Sequence, residues 1–228
     1  MKKIYCSGPL FCPEECACMK TISDVLEQEG YRTFLPQRDG IEAYVLRAEK
    51  DQKISQHLFQ QIKTSMSKAI FAFDIYQLIE CSDGLVMNMN GRVPDEGAVA
   101  ETAIAFAIGK PVVLYKNDHR SLLYGLDNSM LLGLASSFNY VTHFYDIPKA
   151  FACEFKHVKD KFPYQGNAIP FNVQKIVSYG RKISRFLDVI QFFKLKHEDE
   201  YLDRLQQLLN AFSSSELNDK EQNHNETS

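Results

Sequence analysis

The apolar positions of this chain alternate between two rhythms. Short apolar runs at residues 3–6, 31–35, 84–89, 112–115 and 140–142 have the length and side-chain types of strands buried on both faces. Longer segments between them carry apolar residues at helical spacing. Pro13, Glu14 and Glu15 open the first, where a fixed φ and negative charge suit a helix start. It continues through Ile22, Val25 and Leu26 and stops at Gly30. Residues 36–40 read as a polar loop. Residues 41–80 read as at least two helices, with a break near Thr64 and Ser65 and the last turns at 74–80. A small-residue helix follows Asp95 and runs to Gly109, just before the fourth strand. Asp127, Asn128 and Ser129 predict another start, with Asp or Asn as the cap, continued by residues 130–135.

Five strands alternate with four helical segments, which predicts a parallel five-stranded sheet covered on both faces, in the doubly wound α/β class. Beyond residue 147 the strands cease. Residues 148–162 and 173–193 read as amphipathic helices, with a loop between them, and 201–212 as a last short helix. From 213 onward the sequence is polar and is expected to be disordered. The expected organisation is an α/β domain at 1–147, a helical C-terminal extension at 148–212 and a tail at 213–228. There is no internal repeat.

Composition narrows the function. With 228 residues, 45% hydrophobic and 24% charged, the chain has enough apolar material for a sizeable core. A net charge of −3 and a pI near 6.1 give no basic stripe, so neither nucleic acid nor an anionic membrane is an expected partner. The first residues enter a strand pattern directly, so no secretory signal is expected and the cytoplasm is the expected compartment. Cys6, Cys12, Cys16 and Cys18 crowd together without a second Cys-x2-Cys pair, which favours free thiols over a metal site.

In an open α/β sheet, ligands bind at the carboxyl ends of the strands. Collected there are Tyr5 and the turn Gly8-Pro9-Leu10-Phe11; Gln37, Arg38 and Asp39; Asp95 and Glu101; and Asn117, Asp118 and Asn128. No Gly-x-Gly-x-x-Gly or phosphate-loop signature is present, which disfavours dinucleotides and nucleoside triphosphates. No Gly-x-Ser-x-Gly elbow is present either. An acid-rich set with few basic partners suits a neutral, hydroxyl-rich ligand such as a sugar or nucleoside. Phe11 and Tyr44 are aromatics able to stack on a base or to pack in the core.

Ile4-Tyr5-x-x-Gly8-Pro9-Leu10-Phe11, Pro36-Gln37, Asp95-x-Gly97-x-x-x-Glu101, Ala105-x-Ala107-x-Gly109-Lys110-Pro111 and Asn128 together resemble the nucleoside 2-deoxyribosyltransferases, over about residues 3–145. The resemblance implies a flavodoxin-like, homo-oligomeric enzyme of nucleotide salvage. Such an enzyme moves a 2-deoxyribosyl group between nucleobases without a cofactor, and a neighbouring subunit helps close its site. By the same resemblance Glu101 is the nucleophile, Asp95 binds the sugar hydroxyls, Asn128 binds the 5′ end, and Gln37 contacts the base beside Gly8 and Phe11. Tyr5 would hold Glu101 ionised. Asp74 would protonate the departing base. Asp83 is its rival, although it precedes a strand and so falls at the opposite end of the sheet.

The chemistry supports that division of labour. A nucleobase leaves poorly unless protonated, so one acid must donate while another carboxylate stays ionised. Two rival functions remain open at this stage. One is hydrolysis of a deoxynucleoside or its 5′-monophosphate, for which Ser7, Arg92 and Arg120 are candidate phosphate contacts. The other is non-catalytic sensing of a nucleotide derivative.

Overall fold

A computed structural model describes residues 1–42, 56–91, 93–118, 127–161, 169–189 and 207. Its centre is a five-stranded, all-parallel sheet in the order β2-β1-β3-β4-β5: β1 Lys3–Ser7, β2 Arg32–Phe34, β3 Gly84–Asn88, β4 Val112–Tyr115 and β5 Tyr140–Val141. The registers are parallel throughout, with Tyr5 opposite Phe34 on one side and Leu85 on the other. This is the doubly wound, flavodoxin-like order, which reverses direction between β1 and β3.

Alternation along the strands sorts their side chains between two cores. Ile4, Cys6, Val86, Val113 and Tyr115 pack with Met19, Ile22 and Leu26 of α1 (Pro13–Gln28) and Ile147 and Phe151 of α6 (Ile147–Lys161). On the other face Tyr5, Leu85, Met87, Val112 and Leu114 pack against α3 (Gln56–Tyr76), α4 (Glu96–Ala107) and α7 (Phe171–Val189). The helices beyond residue 147 thus cover both faces. Gly180 of α7 lies so close to α3 that a Cβ there would overlap the Ala72 carbonyl and come within 2.5 Å of Tyr76 Cβ.

Local structure departs from the sequence pattern in three places. Residues 36–40 form a short helix, α2 (Pro36–Asp39), rather than a loop, because Pro36 supplies the first-turn φ and Asp39 bonds back to the Leu35 N–H. No break occurs at Thr64 and Ser65: α3 runs through them and continues as a π-helical turn, Gln77–Cys81. Polar, moderate helix formers there do not end a helix whose apolar face is packed. The helix capped by Asn128, α5 (Ser129–Leu132), stops three residues before the expected end. Tyr44, Arg92, Arg120, the 213–228 tail and all of the expected 201–212 helix but residue 207 lie outside the described residues.

Candidate active site

The carboxyl ends of β1 and β2 and the start of α4 enclose a cleft of about 450 Å³. It is lined by Gly8, Phe11, Gln37, Glu42, Asp95 and Glu101, with Leu10, Cys16, Pro36, Ile70 and Ala98 among its apolar walls. Glu101 is its chemical centre. Tyr5 and Ser7 are two apart on β1 and so point to the same face, where α4 lies. Tyr5 Oη donates to Glu101 Oε1 at 2.7 Å and Ser7 Oγ to Oε2 at 2.5 Å. Both hydroxyls belong to fully buried residues. Each carboxylate oxygen is therefore held by one fixed donor. Tyr5 is itself clamped, its ring 5.2 Å from that of Phe34.

Burial pushes the Glu101 carboxyl up to about 7, against the downward pull of the Ser7 and Tyr5 hydrogen bonds. Glu42 and Asp95 add negative charge that acts in the same direction. The result is a carboxyl that holds a proton more tightly than an exposed glutamate does. Tyr5 is pushed well above its ordinary range, first by burial and then by Asp74 and Glu101, so its hydroxyl remains a donor.

Asp95 is the N-cap of α4, accepting from the Ala98 N–H at 2.7 Å, and it also lines the cleft. The cap fixes one carboxylate oxygen, Oδ1. Gln37 reaches in from α2. Its amide donates to the Cys16 carbonyl at 2.9 Å, while its buried Oε1 has no protein partner. Gly8 is required by close approach: a Cβ there would meet Met19 Sδ at 2.6 Å and Asn88 Cβ at 2.8 Å. Phe11 stands exposed at the rim.

Asp74 is buried on α3, one turn beyond Ile70 on the same face, and burial first, then Glu42 and Glu101, raise its carboxyl well above the ordinary range. Its rival Asp83 lies at the opposite end of the sheet, held by Lys2 at 2.9 Å and the Lys3 N–H at 2.8 Å. Asn128 is brought to a different place. It caps α5 through the Met130 N–H at 2.9 Å and is exposed, outside the cleft lining. Arg38 and Asp39 bond to each other, and Arg38 also to Glu27, on the α1 side. Asn117 and Asp118 line a separate cleft with Cys12, Cys18 and Asn90.

Two residues of the site escaped the sequence reading as partners of Glu101. Ser7 was named only as a candidate phosphate contact, although it lies two residues beyond Tyr5 on β1 and so shares its face. Glu42 follows β2 at the carboxyl edge, but its place in a polar, helix-like stretch hid it.

A doubly wound parallel sheet with a buried, hydroxyl-held glutamate beside a cleft at its carboxyl edge defines a flavodoxin-like α/β protein. Residues 4–171 match the family described as nucleoside 2-deoxyribosyltransferase, and the chain belongs to that family. Among solved structures it is similar to a 2-deoxyribosyltransferase from Bacillus psychrosaccharolyticus, at 20% identity and a TM-score of 0.46, over 67% of this chain and 95% of that one. It is also similar to a conserved protein from Enterococcus faecalis V583, at 20% identity and a TM-score of 0.43, over 67% and 98%. No curated protein matches it. Among the described residues no helix is long and apolar enough to cross a membrane.

Proposed function

We propose that this chain is a nucleoside 2-deoxyribosyltransferase that moves a 2-deoxyribosyl group between nucleobases through a covalent glutamyl intermediate. The observation that carries this reading is the Glu101 carboxylate, held at both oxygens by Tyr5 and Ser7 in a cleft of nucleoside size. Glu101 attacks the anomeric carbon as the C1′–N bond breaks, and its new C1′–O bond is broken in turn by the incoming base. Two inversions give net retention, the logic of a retaining glycosidase with a base in place of water. Asp95, already fixed by its capping bond, takes the sugar hydroxyls. Gln37, its amide fixed by the Cys16 carbonyl, contacts the base, and Phe11 covers it. The departing base draws its proton from the buried acids around Asp74. We place the reaction in nucleotide salvage inside the cell. The working form is a homo-oligomer in which a neighbouring subunit closes the cleft and supplies its Asn128, which stands exposed in the single chain.

The test is to incubate the protein with 2′-deoxyinosine, with and without adenine, and to resolve the products by chromatography. Transfer yields 2′-deoxyadenosine only when adenine is present. Free deoxyribose in both reactions would make the chain a hydrolase. No turnover of this substrate or of a deoxynucleotide panel would leave a sensor.

A further inference from the structure

Lys116, just past the end of β4, is a buried charge that stands apart from the cleft. It is 3% exposed, and its ammonium pairs with Asp127, whose side chain is 10% exposed. The residue is held at both ends by β5. Its N–H donates to the Val141 carbonyl at 2.9 Å, and its ammonium lies 6.0 Å from the centre of the Tyr140 ring. Such a pair is a poor device for stability alone. Desolvation of both groups offsets much of their attraction, and an apolar pair of similar volume would hold the fold as well. What the ion pair adds is direction: it fixes one carboxylate, and the backbone that carries it, at one place beside the sheet.

The next residue is Asn128. Its carbonyl accepts from the Leu131 N–H at 2.9 Å and the Leu132 N–H at 3.1 Å, and its Oδ1 accepts from the Met130 N–H at 2.9 Å. Among the described residues nothing accepts from its Nδ2. The side chain is thus an exposed, fixed donor with a free N–H face, in a residue that the cleft of its own chain does not use. Through Asp127 and Lys116 that donor is tied to the central sheet as well as to its own short helix.

We propose that Lys116, acting through Asp127, is a positioning residue that sets the Asn128 amide for the 5′-hydroxyl of a nucleoside held in the neighbouring subunit's cleft. This rests on the transfer reading above and on the closing role given there to Asn128. An amide on a free surface segment would lose its freedom at every binding event, whereas one already fixed keeps that loss out of the binding step. The ion pair supplies the fixing from outside the cleft, so it touches no substrate atom itself.

A substrate without the 5′-hydroxyl separates this role from a structural one. The measurement compares 2′-deoxyinosine with 2′,5′-dideoxyinosine as glycosyl donors to adenine. Lys116→Met removes the charge and keeps most of the volume. It should lower kcat/KM for 2′-deoxyinosine about 3–10-fold, the span of one neutral hydrogen bond, and leave 2′,5′-dideoxyinosine within about twofold. Asn128→Ala should show the same split. Adding Lys116→Met to Asn128→Ala should lower 2′-deoxyinosine transfer no further, since a residue that acts through Asn128 then has nothing to position. Equal losses on both substrates, or losses that multiply in the double variant, would overturn the assignment. Lys116→Met also leaves Asp127 buried without its cation, so Lys116→Met with Asp127→Leu serves as the folded control. That variant should recover the melting temperature and keep the loss on 2′-deoxyinosine; recovery of both would make the pair a fold support only. The reading beneath fails differently. An unaltered chain that transfers neither sugar refutes transfer, and equal transfer of both with no effect of Asn128→Ala refutes the role of Asn128; either result takes the role of Lys116 with it.

Discussion

Replacing Glu101 by Gln should abolish transfer and at the same time stabilise the fold, in a way that depends on pH. Burial lifts the carboxyl from the ordinary 4.5 to about 7. Between those values the folded chain holds a proton that the unfolded chain has released. The unfolded state therefore binds fewer protons, and stability falls as pH rises through this window. At about 1.36 kcal/mol per pH unit the burden approaches 3 kcal/mol above pH 7 and vanishes below 4.5. Gln keeps the shape without the charge, but its Nε2 cannot accept the hydrogen bond that Ser7 or Tyr5 now donates, a loss of about 1 kcal/mol. The expected net gain is about 2 kcal/mol at pH 8, roughly 4–8 °C in melting temperature for a chain of this size. At pH 5 the gain should shrink to nothing or reverse. Urea denaturation of both proteins at pH 5 and pH 8 measures the difference directly. A variant no more stable than the native chain at pH 8, or a difference that ignores pH, would refute the claim that Glu101 is a strained, desolvated carboxylate.

Ser7→Ala removes the donor to Glu101 Oε2, so the low-pH limb of kcat/KM, expected near pH 7 in the native enzyme, should move up by about one to two units; an unmoved limb would mean that Ser7 does not tune the nucleophile. Asp95 separates capping from sugar binding: Asp95→Asn should keep the cap and the stability, Asp95→Ala should lose about 1 kcal/mol, and both should lose turnover. Full activity in Asp95→Asn would reduce Asp95 to a cap. Gly180→Ala should cost about 1–3 kcal/mol in chemical denaturation by forcing α7 off α3, with little effect on KM if the site is left intact.

Much of this architecture was legible in the sequence because two-faced burial leaves a strong trace. The five apolar runs became the five strands, and strand–helix alternation required parallel pairing and helices on both faces. The carboxyl-edge rule then pointed to Gln37, Asp95 and Glu101, which share one cleft with Gly8 and Phe11, and to Tyr5, which bonds to Glu101 from the buried strand behind it. Helix ends were less legible. Thr64 and Ser65 looked like a break because local preference was the only guide, while the packed face of α3 carries the helix through them. The same limit hid the acid pair. Nothing in the one-dimensional spacing of Glu42 and Asp74 says that a folded-back loop and a long helix bring their carboxyls together, since that contact depends on close approach at Gly40. Asn128 shows the converse. A cap at Asp127 or Asn128 was expected from the sequence and falls on Asn128, but its place in the fold is outside the cleft of its own chain.

The covalent step is the centre of the account, and one measurement reaches it. A deoxynucleoside bearing fluorine at C2′ slows both steps, because the electron-withdrawing substituent destabilises each oxocarbenium-like transition state. The intermediate should then accumulate. After brief incubation and acid quench, peptide mass spectrometry should find the fluorinated sugar on the peptide containing Glu101, and fragmentation should place it on that side chain. A sugar on any other residue, or an unmodified protein that still turns over 2′-deoxyinosine, would contradict the account.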